Sequence, residues 1–437
     1  IKGAPEQVLA QCGQVSSGDE GQAFQPEQVL QQADQLANEG YRVLAVARRE
    51  FETLPSSLGD GGIEQDLNFL GLVALIDPPR PEASQAVADC LTAGITPVMI
   101  TGDHPATAAA IADRLGITDD REVVTGLQLS DDPSHELAER ADDIAVYART
   151  TPEQKLDIVH ALKNRGHVVA MTGDGVNDAP ALRSADIGVA MGVMGTEVAK
   201  EAADMVLTDD NFATILAAVQ EGRRIYDNIR RFVRYTLTSN TGEIWVMLLG
   251  PFVGLPLPLL PVQILWINLV TDGLPGLALG IEPAERGVMQ RPPRRPTESI
   301  FARGLWQHVL LVGLVMGFIP LGLGIWGDAT DRPWQTMVFT SLALLQLGHA
   351  LAVRSELDSL RTLGLMTNRF LLAAVTGTLL LQLAIIYVPF AQDMLDTEAL
   401  DLVELVVVLI ASTGVLLVVE AEKAWRRREE AAPPHLR

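Results

Sequence analysis

Met171-Thr172-Gly173-Asp174-Gly175-Val176-Asn177-Asp178-Ala179-Pro180 occupies the middle of the 437-residue chain. It follows the apolar run 168–171 and carries two carboxylates and a carboxamide on a glycine-rich turn. A strand that ends in such a turn brings its acidic groups to the carboxyl edge of a sheet, where open α/β folds bind ligands. Ionised Asp174 and Asp178 accept hydrogen bonds only and suit a hard cation such as Mg²⁺, which accompanies phosphates. The stretch therefore predicts an α/β domain with a magnesium site.

Composition limits the classes of function. A formal net charge of −22 argues against nucleic acid as a partner. The two cysteines, Cys12 and Cys90, lie far apart without CxxC spacing, so neither a zinc site nor a disulfide framework is expected. The chain opens on Ile1-Lys2, which reads like the inside of a domain, so we expect a fragment or a gene truncated upstream.

The two halves of the chain differ in polarity. Residues up to about 230 carry most of the acidic side chains, whereas the remainder contains six apolar runs, each near the ~20 residues that a membrane helix needs. We predict spans at 232–255, 259–281, 305–326, 336–353, 370–390 and 402–419. Arginines and lysines precede the first span, lie between the second and third and between the fourth and fifth, and follow the sixth. The positive-inside rule then places the soluble half and the carboxyl terminus in the cytoplasm of a multi-pass protein, in contact with lipid.

Strands alternate with helices in the soluble half, which implies a parallel sheet. We predict strands at 70–76, 96–100 and 167–171, and helices at 82–93, from 104 through Leu115, and 152–163. The proline-rich residues 77–81 predict a stiff connector. The segment 14–35 is rich in Gln, Gly and Ser and predicts a loop plus an exposed helix.

Three features at predicted strand ends suit phosphate handling. The Thr101 hydroxyl, with Gly102 allowing close backbone approach, can hold phosphoryl oxygens at a helix amino terminus. Lys155, early in the next helix, can neutralise phosphoryl charge, and Asp174 with Asp178 supplies the metal site. The chain has no GxxxxGK[ST] motif, so it is not a P-loop NTPase.

Polar residues within the predicted spans form a second candidate site. The first span holds Asn240 and Glu243 on one helical face, and the second holds Asn268, Thr271 and Asp272 on one face. Gly273 and Pro275 follow and would loosen the helix, freeing carbonyl groups as ligands. Helix–helix packing would explain Asn240 or Thr271 alone, but two intramembrane acids with three polar partners favour an ion site. Oxygen ligands without Cys or His favour hard ions such as Ca²⁺ or Na⁺.

Taken together, these motifs resemble the P-type cation-transporting ATPases, members of the haloacid dehalogenase-like superfamily. The matching stretches are KGAPE at 2–6, DPPR at 77–80, TGD at 101–103, TPEQK at 151–155, TGDGVNDAPAL at 172–182, and GTEVAKEAADMVLTDDNF at 195–212. The resemblance implies a partial nucleotide-binding domain at 1–76, a Rossmann-type α/β haloacid dehalogenase-like phosphorylation domain at 77–222, and an all-α stalk and six-helix transmembrane domain at 223–437.

The resemblance also implies residue roles. The residues that it implies for nucleotide binding are Lys2, Arg42, Arg80 and Asp103. It implies that the loop Thr101, Gly102 and Asp103 meets the phosphate and that Lys155 contacts the phosphate. It also implies that Asp174 binds Mg²⁺, with Asn177 and Asp178 supporting that site. Asp77 and Arg80 resemble the hinge between the two soluble domains.

In the membrane, SNTGE at 239–243 and NLVTDGLP at 268–275 are similar to the cation-site motifs of calcium-transporting members. The sodium–potassium type has Asp at the position of Asn268, so the resemblance favours ATP-driven Ca²⁺ export. Gln346 stands where some two-site calcium pumps have Glu, so the resemblance does not decide whether a second ion site exists. A Na⁺ or other monovalent cation pump is the alternative within the class.

One family motif is missing. The family's nucleophile is the Asp of a DKTGT motif, and this sequence contains no DKTGT. We therefore expect that motif, the actuator domain and four further membrane helices upstream, and no ATPase activity from these 437 residues alone. The resemblance leaves the oligomeric state open and favours a monomeric pump. A non-catalytic membrane scaffold or sensor that keeps the phosphatase-like domain is the alternative from another class.

Overall fold

The computed structural model describes residues 1–15, 25–51, 64–76, 78–131 and 134–431. The predicted hinge residue Asp77 and most of the polar segment 14–25 lie outside these ranges. The chain divides into two compact units. Unit 1 comprises 1–218 with 289–293, and unit 2 comprises 219–288 with 294–437.

Unit 1 begins with a four-stranded mixed sheet in the order β1-β3-β4-β2. Its strands are β1 Lys2–Gly3, β2 Cys12–Val15, β3 Arg42–Arg48 and β4 Leu67–Leu75, accompanied by helices α1 Pro5–Leu9 and α2 Pro26–Asn38. One face packs on a small core that includes Ala45, Ala47 and Phe69. The predicted strand 70–76 lies within β4 apart from its last residue, but residues 14 and 15 belong to a strand, so the prediction of a loop there was wrong. Backbone pairing with β4 stabilises this strand, although its local composition does not favour one.

Two three-stranded sheets follow in unit 1, in the orders β5-β7-β6 and β10-β9-β8. Every pair in both sheets is parallel, which confirms the sequence prediction for the strands at 96–100 and 167–171. The predicted strand 70–76 instead pairs antiparallel with β3 and parallel with β2. The strands are β5 Met99–Ile100, β6 Glu122–Thr125, β7 Ile144–Ala148, β8 Ala170–Gly173, β9 Ile187–Met191 and β10 Met205–Leu207. Ile100 packs against the cores of both sheets. The predicted strand 96–100 is shortened to its last two residues, since Pro97 cannot donate a backbone hydrogen bond; the predicted strand 167–171 is observed at 170–173.

Helices surround these sheets, and α4, α7 and α9 each begin after a residue whose side chain caps the helix. They are α3 Pro81–Thr92, α4 Pro105–Leu115, α5 Gly126–Asp131, α6 Ser134–Arg140, α7 Pro152–Asn164, α8 Ala179–Ser184 and α9 Glu197–Ala202. The Thr151 hydroxyl oxygen accepts from the backbone N–H of Gln154, and the Gln154 side-chain oxygen accepts from the backbone N–H of Thr151. This capping box fixes the start of α7. Because α7 begins there, Lys155 stands in its first turn.

Unit 2 is helical. Its helices are the later part of α10 Phe212–Leu249, then α11 Pro261–Trp266, α12 Gly273–Leu279, α13 Leu305–Ala329, α14 Trp334–Ala352, α15 Leu360–Leu363, α16 Arg369–Tyr387, α17 Pro389–Leu395, α18 Leu402–Ser412 and α19 Gly414–Ala431. Four helical stretches in the described ranges are long and apolar enough to cross a membrane: 261–279, 305–329, 369–387 and 402–428. The two other predicted spans lie in α10 and α14, and their insertion stays a prediction.

Small residues let α10 approach α13 closely. A Cβ atom on Gly313 would stand 2.6 Å from Thr241 Cγ2, and one on Gly317 would stand 2.5 Å from Trp245 Cβ. Small residues at such crossings allow two helix backbones to pack against each other in a membrane protein. The contact fixes the part of α10 that carries Glu243.

Candidate functional sites

The acidic loop after β8 is organised by Asp178. This side chain is buried, and its Oδ1 accepts from Lys155 Nζ at 2.7 Å. Its Oδ2 accepts from the backbone amides of Asp174 and Gly175 at 3.2 and 3.1 Å. Burial raises the pKa of Asp178, but these hydrogen bonds and the Lys155 charge outweigh it and hold the pKa below its ordinary value. Asp178 is therefore an ionised brace for the loop.

The loop leaves its other two polar side chains open. Asp174 and Asn177 are both exposed. Gly173 is required by packing, because a Cβ atom there would stand 2.5 Å from the Asp178 Cβ. The arrangement presents the Asp174 carboxylate outward while Asp178 faces inward.

Hydrogen bonds tie the loop after β5 to the start of α7. The Thr101 amide donates to the Tyr147 carbonyl at 2.8 Å, and its carbonyl accepts from the Thr150 amide at 3.2 Å. Thr150 directly precedes the cap of α7, whose first turn carries Lys155. The Thr101 loop, Lys155 and Asp178 thus belong to one connected edge of the α/β core. Nothing lies within 4 Å of a Cβ atom built on Gly102, so the backbone there is open to approach.

A magnesium ion fits this edge only in part. No group of three or more His, Cys, Asp or Glu side chains is gathered as a metal site within the described ranges. The exposed Asp174 carboxylate supplies one hard oxygen ligand, and Mg²⁺ ordinarily completes its shell with water and phosphate oxygens. Asp178, paired with Lys155, suits the supporting role given to it from the sequence.

The predicted nucleotide residues lie on different elements. Lys2 pairs with Val46, and Arg42 stands four residues earlier on β3, so both share the sheet face opposite the Ala45 and Ala47 core. At about 3.4 Å per residue the two Cα positions are roughly 14 Å apart along the strands. Arg80 instead donates to the Asp210 carbonyl at 2.7 Å, so its observed contact is with the chain's own backbone.

Asp210, whose carbonyl accepts from Arg80, organises a loop that the sequence reasoning did not single out. Its carboxylate accepts from the amides of Val193 and Met194 at 2.9 and 2.7 Å. Those bonds hold the pKa of Asp210 below its ordinary value. The Asp209-Asp210 pair was visible in the sequence, but only the fold brings it to the 193–194 loop.

In unit 2, Glu243 is the centre of a buried polar cluster. Its Oε1 accepts from Gln346 Nε2 at 3.0 Å, and its Oε2 accepts from Asn268 Nδ2 at 3.2 Å. Asn240 lies one turn earlier on α10 and is half-buried. The structure therefore unites three of the predicted cation ligands, including Gln346, which had the weakest support from sequence, although Asn268 stays largely exposed.

Asp272 and Thr271 lie beside this cluster with oxygens to spare. In the part of the chain that the structure describes, both carboxylate oxygens of Asp272, the Thr271 hydroxyl and the Gln346 amide oxygen are buried without a hydrogen-bond partner, although Tyr235 and Ser239 lie close to Asp272. Asp272 also lies within electrostatic reach of Glu243. Buried oxygens without donors are costly unless a cation or proton meets them, so this donor set fits a hard cation.

The backbone next to Asp272 is irregular. Residues 267–271 form a π-helical segment in which the Asp272 amide donates to the Ile267 carbonyl at 2.8 Å. Pro275 has no N–H to offer the Thr271 carbonyl, and Tyr235 Oη donates to that carbonyl instead, at 3.2 Å. The helix is irregular one turn before Gly273 and Pro275, whereas α12 itself is regular from Gly273. The expected release of carbonyl groups as cation ligands stays a prediction. The sequence reasoning missed Tyr235 and Ser239. Tyr235, Ser239 and Glu243 follow one another at intervals of four residues, so they lie on one face of α10.

Each half of the chain matches a known protein family. Residues 6–186 match the haloacid dehalogenase-like hydrolase family, and residues 256–425 match the family described as the carboxyl terminus of cation transporting ATPases. The chain belongs to the P-type cation-transporting ATPases. Its α/β and helical parts correspond to the predicted fold class, and the chain is that of an integral membrane protein.

The relatives are named as cation pumps. A calcium-transporting ATPase of Bacillus subtilis is 44% identical over 407 residues, which cover 91% of this chain and 46% of the relative. Calcium-transporting ATPase 1 of Bacillus cereus is 40% identical, with coverage of 98% and 50%. A probable cation-transporting ATPase F of Mycobacterium tuberculosis is 42% identical, with coverage of 99% and 49%. The chain spans about half the length of the curated relatives it matches.

Proposed function

We propose that this chain is the cation-binding and phosphate-handling part of an ATP-driven pump that exports Ca²⁺ through an aspartyl-phosphate intermediate. The observation that carries the proposal is the buried Glu243, held by Asn268 and Gln346 beside the unpartnered oxygens of Asp272. Carboxylate, amide and hydroxyl oxygens are the donors that Ca²⁺ prefers. A Na⁺ or other monovalent cation pump is the second candidate, since the same oxygens suit Na⁺.

The α/β edge supports the chemical half of the proposal. Lys155 and the Thr101 loop would hold a phosphoryl group, and Lys2 and Arg42 would face ATP from their sheet. Asp174 would hold Mg²⁺, which when bound would neutralise phosphoryl charge. Asp178 would keep the Asp174 amide and Lys155 in place through the bonds already described.

The sheet edges support a contribution from a further segment. In the described ranges, β5 pairs with β7 alone and β8 pairs with β9 alone. Ile100 of β5 packs on both cores, so these two edges belong to neighbouring sheets. A parallel strand between β5 and β8 would complete one continuous sheet. A strand that carries the DKTGT nucleophile and ends there would place its Asp beside Thr101, Lys155 and Asp174.

Two further parts of the proposal rest on sequence and family. The positive-inside pattern supports six spans, with unit 1 and the carboxyl terminus in the cytoplasm and the pump in the cell membrane. α10 runs unbroken from Phe212 to Leu249 and would couple phosphorylation to Glu243. The family favours a monomer.

A chimaera tests the function. The 437 residues are joined to the amino-terminal half of the Bacillus subtilis relative, and phosphoenzyme formation and ATP hydrolysis are measured with Ca²⁺ or Na⁺. We expect Ca²⁺ stimulation that Glu243→Gln and Asp272→Asn abolish, while Gln382→Leu, a buried polar change on α16, keeps it. Stimulation by Na⁺ alone would favour the monovalent pump. A folded chimaera that no cation stimulates would favour the scaffold or sensor.

The isolated chain gives a second test. Without DKTGT we expect no Mg²⁺-dependent phosphoenzyme from the 437 residues alone. Phosphate incorporation by the isolated chain would contradict this assignment of the nucleophile.

A further inference from the structure

Four side chains from four helices of unit 2 form a polar column that includes none of the predicted site residues. His308 Nδ1 lies 2.5 Å from Glu422 Oε2, and His308 Nε2 lies 3.0 Å from His349 Nε2. The two imidazole rings stack with centroids 5.3 Å apart, and His349 stacks on Tyr235 at 5.7 Å. We call Glu422, His308, His349 and Tyr235 the histidine column. It joins α19, α13, α14 and α10.

The hydrogen bonds of the column fix its proton order. Ionised Glu422 only accepts, so His308 carries its proton on Nδ1. A neutral His308 then accepts at Nε2, and His349 must donate from its own Nε2. His349 Nδ1 is left as a buried lone pair without a partner in the described part of the chain. Both rings are almost completely buried, so neither can rotate without breaking this order.

Cations and carboxylates both lie near the two imidazole rings. The groups within electrostatic reach are Arg234 of α10 and Glu422, Lys423 and Arg426 of α19. Their ion-pair partners are Glu356 for Arg234, Glu422 for Arg426 and Glu420 for Lys423. Glu422 lies against His308 but already pairs with Arg426, so a proton on His349 would add a positive charge that has no carboxylate of its own in the described part of the chain. Acid should therefore loosen the column.

The column ends at the cation site. Tyr235, under the His349 ring, donates to the carbonyl of Thr271 that Pro275 leaves free. Thr271 closes the π-helical segment, and the next residue is Asp272. The position of the Tyr235 ring therefore sets the position of a backbone group adjacent to a candidate cation ligand.

We propose that His308 and His349 are positioning residues for the cation site, and that they make cation affinity acid-sensitive by holding or releasing Tyr235. The proposal rests on the cation-binding function proposed above. Within the described residues, no hydrogen bond or ring contact joins either histidine to a predicted cation ligand. Their effect passes through the ring stack and the Tyr235–Thr271 hydrogen bond.

The test measures equilibrium binding of radioactive Ca²⁺ by the whole 437-residue chain in detergent between pH 5.5 and 8. His349→Ala removes the stack, and we expect about a tenfold loss of affinity at neutral pH, the usual size of one lost hydrogen-bonded contact. His349→Phe keeps a ring on Tyr235 but cannot be protonated. It should retain neutral-pH affinity and weaken less than the parent on acidification. Glu243 and Asp272 titrate in both proteins, so the difference isolates the histidine. Gln382→Leu should follow the parent at every pH.

Hydrogen–deuterium exchange of the amides at 267–276 without cation supplies the second readout. Faster exchange there in His349→Ala, with thermal stability near that of the parent, supports positioning. Unchanged exchange together with unchanged affinity overturns the proposal, as does a His349→Phe variant with the parent's pH profile. If the parent binds no Ca²⁺ while His349→Ala still accelerates exchange, the assignment of Ca²⁺ fails and the positioning role stands.

Discussion

Replacing Lys155 with Met should loosen the acidic loop by an amount that the structure sets. The change removes the 2.7 Å contact to Asp178 and leaves the carboxylate on two backbone amides. Losing one partner of a fully buried pair costs about 3–5 kcal/mol, and exposed pairs contribute about 0.2–1 kcal/mol. The Lys155 side chain is 20% exposed and that of Asp178 is 8% exposed. We therefore expect about 2 kcal/mol, or roughly a 30-fold increase in local opening.

Exchange of the Asp174 and Gly175 amides, read by mass spectrometry, is the assay, because both amides donate to Asp178. Asp178→Asn and the double variant complete a thermodynamic cycle, for which we expect a coupling energy of about 1–2 kcal/mol. Lys163→Met is the matched control on the same helix. Lys163 pairs with Asp186 at 3.0 Å, and the two side chains are 33% and 34% exposed. Because this pair does not include Asp178, Lys163→Met should leave exchange of the Asp174 and Gly175 amides unchanged. If the effects of Lys155→Met and Asp178→Asn are additive, the claim that the Lys155–Asp178 pair holds this loop is wrong.

The same cycle has a pH signature. Pairing holds the pKa of folded Asp178 below its ordinary value, and unfolded Asp titrates near about 3.9. The stabilisation is therefore present above about pH 4 and is lost as the pH falls through the lower folded pKa. The Lys155→Met difference should shrink as the pH drops below about 4. A difference that grows with acid would show that Lys155 acts through another group.

Two further predictions concern packing. Gly173→Ala places a Cβ atom 2.5 Å from that of Asp178 and should destabilise unit 1 by about 1–3 kcal/mol. Gly222→Ala in α10 meets nothing within 4 Å and should stabilise by about 0.5–1 kcal/mol; thermal unfolding compares them, and equal effects would contradict the geometry. Arg354 donates to buried Glu282 at 2.7 Å, so Arg354→Met should cost about 3–5 kcal/mol, and adding Glu282→Met should restore much of it. A double variant no better than Arg354→Met would show that the bonds of this cluster to Gly364, Thr367 and Asn368 matter more than the carboxylate left without Arg354.

The sequence predicts what depends on neighbours in the chain. Thr151 and Gln154 cap α7 through contacts three residues apart, and the Gly-Asp-Gly turn follows its strand directly, so both could be anticipated. The polar face of the second span and the effect of Pro275 are likewise local. The strand at 12–15 was missed because its pairing partner, Leu67–Phe69, lies more than fifty residues away.

The contacts that local patterns could not reveal are those that join distant helices. Glu243 meets Gln346 across 103 residues, and His308 meets Glu422 across 114. Taken alone, each of these residues could equally be a polar group that only packs two helices together. Only the packing of α10 on α14 and of α13 on α19 brings these partners within hydrogen-bond reach. Such pairs also carry the strongest consequences, because a buried polar atom that loses its partner cannot turn to water instead. A single change at His349 should therefore be felt at Thr271, whereas the same change at exposed His160 of α7 should remain local.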